Sequence, residues 1–452
     1  ATTEIYTLSL HDALPICRVR RLGVAGKDVA LLLRDRNFLV QTVFVPVFVV
    51  GLQLIVNPGL GEVAGSGVAM LAYGIGLYSL IGGCFQVLSA EGRALWMLYS
   101  LPTSIAAALG RKTRIWAALA VGFAWFALGA FALRAADAPA WLPLLGDVLF
   151  VGFGVWCAAH IAAGVSVIGC NPAADHVPRQ PKARHVYLYF FFASTFFVGL
   201  AADGLAGRAA AGLVFGTLAY AIWQRACDRL PWLLDPVDEP RTRIGLYDGA
   251  AAVIVFFVLQ ALLLLLILGG GVVAAGTTVD VLLAFSIAGA LTCALFLAIL
   301  AARGVATGDA LGLTTPGRGA AAAALGLGVV AGAGLGLLGL GYLQLVERYD
   351  WFELPSEPRR VGVELIVLAV VAAPVVEEVL FRGLVFGGLV RSVRPAVAVL
   401  WSAALFAAVH PQHAWPPVLL VGVGAAVLQL RTRFLPAAMA LHASYNAVVS
   451  LV

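Results

Sequence analysis

The sequence predicts an all-α fold, a polytopic bundle of transmembrane helices in two modules, from its composition, its run lengths and the placement of its charge. Of 452 residues, 62% are hydrophobic and only 12% are charged, an apolar excess that a soluble domain has no interior to bury. The apolar residues fall in runs of about 20, the length that crosses a hydrocarbon core as helix; a membrane barrel would show roughly 10-residue alternating segments. The basic residues sit in the short connections between those runs. The net charge of +5 therefore reads as membrane topology, and no nucleic-acid partner is expected.

About thirteen candidate spans follow in order, at residues 38–56, 67–88, 115–133, 144–170, 186–202, 209–224, 249–268, 279–301, 320–345, 361–390, 396–410, 417–430 and 435–452. Arg18, Arg20, Arg21, Lys27, Arg34 and Arg36 precede the first run and place the start on the cytoplasmic side. Alternating the loops from there puts about 23 of the 29 Lys and Arg inside. Outside fall Arg134, Arg208, Arg348, Arg359 and Arg360, and Arg382 lies within a helix. Residues 396–410 and 417–430 are short for an untilted crossing of about 30 Å and are suited to lining a cavity.

Residues 1–16, ATTEIYTLSLHDALPI, read as the in-frame translation of a sequencing adapter, and the missing initiator Met agrees. They are set aside from fold reasoning, and the natural protein is expected to begin upstream. Cys17, Cys84, Cys157, Cys170, Cys227 and Cys293 include no CxxC pair and no grouping with histidine, so neither a disulfide framework nor a thiolate metal site is predicted.

The longest charged connection, residues 225–248, carries Pro231, Pro236 and Pro240 among Asp235, Asp238, Glu239, Arg241 and Arg243. It divides a first module, 17–240, from a second, 241–452, whose core is 361–452. In the first module, Glu91 to Trp96, Leu101 to Ser104 and Arg111 to Arg114 read as an amphipathic cytoplasmic element between two spans. Together with Lys27 to Asp35 these stretches resemble the membrane subunits of ABC-type exporters. That resemblance implies a separate ATPase partner, because the chain contains no GxxxxGK[ST] loop. His160, alone on its helix, reads as a satisfied core residue. In the second module, Ala310 to Pro316 breaks the helical pattern just before residues 320–345, whose Gly326, Gly328, Gly332, Gly334 and Gly336 allow close helix packing.

The chemistry concentrates in Ala373 to Gly383, where Glu377, Glu378 and Arg382 interrupt an apolar run. Each ionisable group at membrane depth costs about 2.5–3.5 kcal/mol on insertion scales. Polar contacts between membrane helices return about 0.6 kcal/mol on average, too little to account for the cluster as structural glue. Glu378 and Arg382, four apart, share a helical face and can pair; Glu377 lies about 100° away and is left as a candidate general base. Pro374 is positioned to kink the span. Two later helices carry the same spacing, Phe406 to His410 and His442 to Asn446. A carboxylate, two imidazoles and an amide are the parts for water activation and oxyanion stabilisation. By helix rise, Glu377 lies about 20 Å from Arg391, His442 about 13 Å from Arg433 and His410 about 24 Å from Arg394, so tilt or kinking is needed to unite them.

The three stretches spell EExxxR, FxxxH and HxxxN, and here the chain resembles the CPBP intramembrane proteases, which include type II CAAX-prenyl endopeptidases and bacteriocin self-immunity proteins. The resemblance implies peptide-bond hydrolysis in the bilayer of a membrane-associated protein or peptide, in the bacterial inner membrane. Glu377 and His410 would activate water, and His442 with Asn446 would stabilise the oxyanion. Glu378, Arg382 and Phe406 would support them. No cofactor is implied; a zinc site of Glu377, His410 and His442 is the alternative. His413, in the Pro-rich loop, reads as a bystander. Two other functions remain open: an exporter membrane subunit whose C-terminal module serves processing or self-immunity, and a non-proteolytic transporter with a polar site.

Overall fold

A computed structural model of the chain describes residues 34, 36–56, 65–88, 91, 95–100, 103–133, 141–170, 183–202, 204–233, 243–269, 278–352 and 362–450. The adapter-like residues 1–16 lie outside them. The described residues are helical with no strand, and eight helices among them are long and apolar enough to cross a membrane. This is an integral membrane protein of the all-α class. The backbone divides into two compact units, Ala1–Glu239 and Pro240–Val452.

In the first unit, α1 (Arg36–Leu39) continues through a π-helical turn, Val40–Phe44, into α2 (Val45–Val56). There follow α3 (Gly65–Gly83), α4 (Leu95–Tyr99), α5 (Ile105–Ala132), α6 (Trp141–Gly169), α7 (Ala183–Ser194), α8 (Phe196–Ala201) and α9 (Gly204–Arg229). Helix α5 starts ten residues before the predicted apolar run because Ser104 caps it, accepting the Ala107 N–H at 3.2 Å. Arg111 to Arg114, read as part of an amphipathic element before the span, therefore belong to the spanning helix itself, and Lys112 turns inward to a buried ion pair with Glu91. The predicted span 186–202 is broken between α7 and α8, where the Thr195 hydroxyl donates to the Phe192 carbonyl at 2.7 Å and competes with the helical ladder. Phe196, Tyr73, Phe150 and Phe215 form the aromatic core. The buried phenols of Tyr73 and Tyr189 each donate to a backbone carbonyl, on Ala193 and Leu77, at 3.0 Å.

The second unit contains α10 (Leu246–Gly269), α11 (Thr278–Ala302), α12 (Thr307–Leu311) and α13 (Arg318–Tyr349). The predicted span 361–390 alternates between helix types: α14 (Val363–Ile366), a π-helix at Val367–Ala372, α15 (Ala373–Glu378), a second π-helix at Val379–Phe386 and α16 (Gly387–Leu389). Pro374, which brings no backbone N–H, sits directly after the first π segment. The chain ends in α17 (Pro395–Ala408), α18 (Trp415–Thr432) and α19 (Leu435–Ser450).

The break at residues 310–316 fixes the start of α19. Gly312, at φ 74°, follows α12 and its carbonyl accepts from Leu435 N at 2.7 Å. A side chain there would meet the Arg433 carbonyl at 2.7 Å, so glycine is required by backbone and by space. Helix α13 packs along α19 at backbone contact distance, since a Cβ on Gly332 would lie 2.0 Å from the Leu441 carbonyl oxygen. His442 is the next residue of that helix.

Candidate active site

Four elements of the second unit bring the predicted residues together: α15 with the π-helix that follows it, the end of α17, and α19. Glu378 is fully buried and is the hub. Its Oε1 accepts a 2.9 Å hydrogen bond from His442 Nδ1, and its Oε2 lies 3.2 Å from Arg382 Nε, four residues on. The Arg382 nitrogens are not in hydrogen-bonding geometry, so charge attraction and the ring of Phe406, 4.2 Å from the guanidinium carbon, hold that group. Phe406 also touches the rings of His410 and His442 edge-on. It is thus the apolar wall joining guanidinium to imidazoles, a role the FxxxH spacing alone did not specify.

Glu377, the residue before Glu378 in α15, reaches the other nitrogen of the same His442 ring. Its Oε2 is buried without a hydrogen-bond partner and faces the Nε2 atoms of His442 at 3.6 Å and His410 at 3.9 Å. Both imidazoles are tethered through the opposite nitrogen. His410 Nδ1 donates to the Phe406 carbonyl at 2.7 Å, and a carbonyl accepts only, so that nitrogen carries the proton and Nε2 is the free one. His442 Nδ1 is held by Glu378 in the same sense. The expected convergence in depth of Glu377, His410 and His442 is present in the fold.

Asn446 is nearby but engaged elsewhere: its Nδ2 donates to the Ala369 carbonyl at 2.7 Å, in the first π segment. A π turn leaves a carbonyl without its usual i+4 donor, which gives the Asn446 amide a structural partner. His413, in the 3₁₀ turn Gln412–Ala414, is not among the side chains paired with Glu377 or Glu378. Two contributors were not singled out from sequence. Trp415 Nε1 donates to the His410 carbonyl at 2.9 Å and secures the turn after α17. Ser402, buried, reaches the Phe381 carbonyl at 3.4 Å, and its position four before Phe406 was the available signal. Gly332 sets how closely α19 approaches α13. Glu377, His410 and His442 are the side chains a zinc ion would use, but among the described residues no group of three His, Cys, Asp or Glu is arranged to hold a metal ion.

Residues 360–448, which carry Glu377, Glu378, Arg382, Phe406, His410, His442 and Asn446, match the family model of the Rce1-like type II CAAX prenyl endopeptidases. This part of the chain is similar to those proteases. The match covers about a fifth of the 452 residues and supports, at a coarse level, a CAAX-type intramembrane protease. No curated protein and no solved structure matches the chain.

Proposed function

We propose that the second unit is an endopeptidase acting within the membrane on a membrane-associated protein or peptide, with water activated by Glu377 and His410. The observation that carries this reading is the Glu377 Oε2, without a hydrogen-bond partner, facing the Nε2 atoms of both imidazoles at 3.6 and 3.9 Å. Those separations suit one water hydrogen-bonded to the carboxylate and to His410 Nε2. A water donating both protons in this way presents a lone pair to a peptide carbonyl.

On attack, the water oxygen bonds to the carbonyl carbon and its proton passes to Glu377. The carbonyl π pair moves to oxygen, where His442, protonated at Nε2, donates to the oxyanion. Glu378 stabilises the imidazolium through Nδ1, as a buried carboxylate does in a catalytic triad. Asn446 supplies its second amide hydrogen to the same oxygen. Collapse breaks the C–N bond, and Glu377 returns its proton to the leaving amine, so the enzyme ends as it began.

The test is cleavage of a farnesylated CAAX peptide, and of its unprenylated counterpart, by the purified full chain in detergent. Loss of cleavage in Glu377→Gln and His410→Ala is expected; a preparation that still cleaves either peptide after both changes overturns the reading. The exporter role of the first unit rests on sequence resemblance and predicts co-purification of a separate ATPase. The proposed site of action is the bacterial inner membrane.

A further inference from the structure

The first unit holds a cleft of about 320 Å³ between α5, α6 and α9, lined by Gly110, Arg111, Arg114, His160 and Trp223. Its charge is one-sided. Arg111 and Arg114 are exposed, and neither has a carboxylate partner among the described residues. Arg114 Nε donates to the Gly110 carbonyl at 3.2 Å, which uses one of its five N–H groups and leaves the fork of terminal nitrogens. Among the described residues Arg111 makes one long side-chain contact, with the Thr103 hydroxyl at 3.4 Å.

The apolar wall is built to a shape. His160 donates through Nδ1 to the Trp156 carbonyl at 2.9 Å, and its ring stands edge-on to Trp223 at 5.6 Å between centroids. Gly110 leaves the cleft open; a Cβ there would only touch Trp223, at 3.6 Å. The setting matches a membrane boundary. Beyond Arg114 the remainder of α5, residues 115–132, contains no charged residue. On α9, Trp223 is followed by Arg225 and Arg229. Tryptophan and arginine at the ends of apolar helices mark the headgroup level, and basic clefts between spans on the cytoplasmic side take anionic headgroups.

We propose that this cleft binds the phosphate of an anionic phospholipid, with Arg111 and Arg114 as the charged donors and Trp223 and Gly110 against the glycerol end of the acyl chains. A planar guanidinium pairs with phosphate oxygens two at a time, so two of them provide both charge and orientation. The concave apolar wall separates this site from arginines that merely reach the headgroup layer.

The experiment compares the full chain in phosphatidylcholine nanodiscs with and without phosphatidylglycerol, by thermal unfolding and by native mass spectrometry of released protein. The wild type is expected to retain phosphatidylglycerol and to unfold at higher temperature with it. The double variant Arg111→Gln/Arg114→Gln is expected to bind it about 30-fold more weakly, the effect of removing two basic contacts. Arg111→Lys/Arg114→Lys should keep part of the affinity, and Arg184→Gln, an exposed arginine outside the cleft, all of it. Gly110→Leu fills the cleft without touching charge and should also release the lipid. Equal retention by the glutamine double variant, or by Gly110→Leu, overturns the proposal. Inorganic phosphate is the remaining arm; stabilisation by it that matches the lipid's assigns the cleft to a soluble phosphate compound and overturns the lipid.

Discussion

Glu378 and His442, 64 residues apart in the chain, are joined by a 2.9 Å hydrogen bond, and the same carboxylate faces Arg382. The two adjacent glutamates are thereby given different work. Glu378 is held from two sides; Glu377 presents an oxygen with no hydrogen-bond partner to the imidazoles. Glu377→Gln is expected to lower the cleavage rate by at least about 100-fold and to leave the melting temperature close to that of the wild type. Glu378→Gln should lower both, because it strands a buried guanidinium. Cleavage and thermal unfolding measured on the same preparations separate the two, and equal loss of stability in both variants would contradict the division.

Arg382 is enclosed completely, with Glu378 as its charge partner and Phe406 under its face. Arg382→Met leaves Glu378 buried and uncompensated, which should cost about 3–5 kcal/mol of stability. The double variant Arg382→Met/Glu378→Leu removes both charges and should recover part of that loss. Thermal or denaturant unfolding of these two variants and of Glu378→Leu forms the cycle, and additive losses would show that the pair is not coupled.

The approach of α13 to α19 is a geometric requirement on one residue. Gly332→Ala would set a methyl 2.0 Å from the Leu441 carbonyl oxygen, so α19 must move and carry His442 with it. A loss of about 1–3 kcal/mol together with a fall in cleavage is expected. Gly334→Ala, on the same helix with nothing within 4 Å, should leave both unchanged. Matching behaviour of the two alanine variants would remove this account of how His442 is placed.

In the first unit, Lys112 and Glu91 form a buried ion pair. Lys112→Met should destabilise that unit by about 3–5 kcal/mol, the cost of removing one partner of a buried ion pair. Limited proteolysis, which reads the two units separately, should show faster cutting within the first unit, while the cleavage activity proposed for the second is expected to persist.

A reaction carried by Glu377 and His410 does not depend on a bound metal, so cleavage is expected to survive 1,10-phenanthroline. Complete inhibition that zinc reverses would instead make Glu377, His410 and His442 ligands.

Much of this site was legible before any fold was known. Ionisable residues are so costly in an apolar helix that EExxxR, FxxxH and HxxxN stand out from their surroundings, and i, i+4 spacing is a property of the helix itself. The Glu378–Arg382 pair follows from that local rule. Helix breaks were less visible. Nothing in residues 361–390 apart from Pro374 signalled the two π segments, because a π turn arises from packing and a displaced hydrogen bond, not from composition. The inward turn of Lys112, within a stretch read as an amphipathic cytoplasmic element, likewise depends on Glu91 being opposite.

By itself, then, the sequence determined the class of fold, the charged residues set within apolar helices and the pairing of Glu378 with Arg382, since each of these depends on neighbours within a few positions. The tertiary structure decided the contacts between helices: His442 on Glu378, Asn446 on the Ala369 carbonyl, Phe406 beneath Arg382, and Gly332 against the backbone of α19. Those depend on crossing angles and close approach between segments distant in the chain, which no local periodicity encodes.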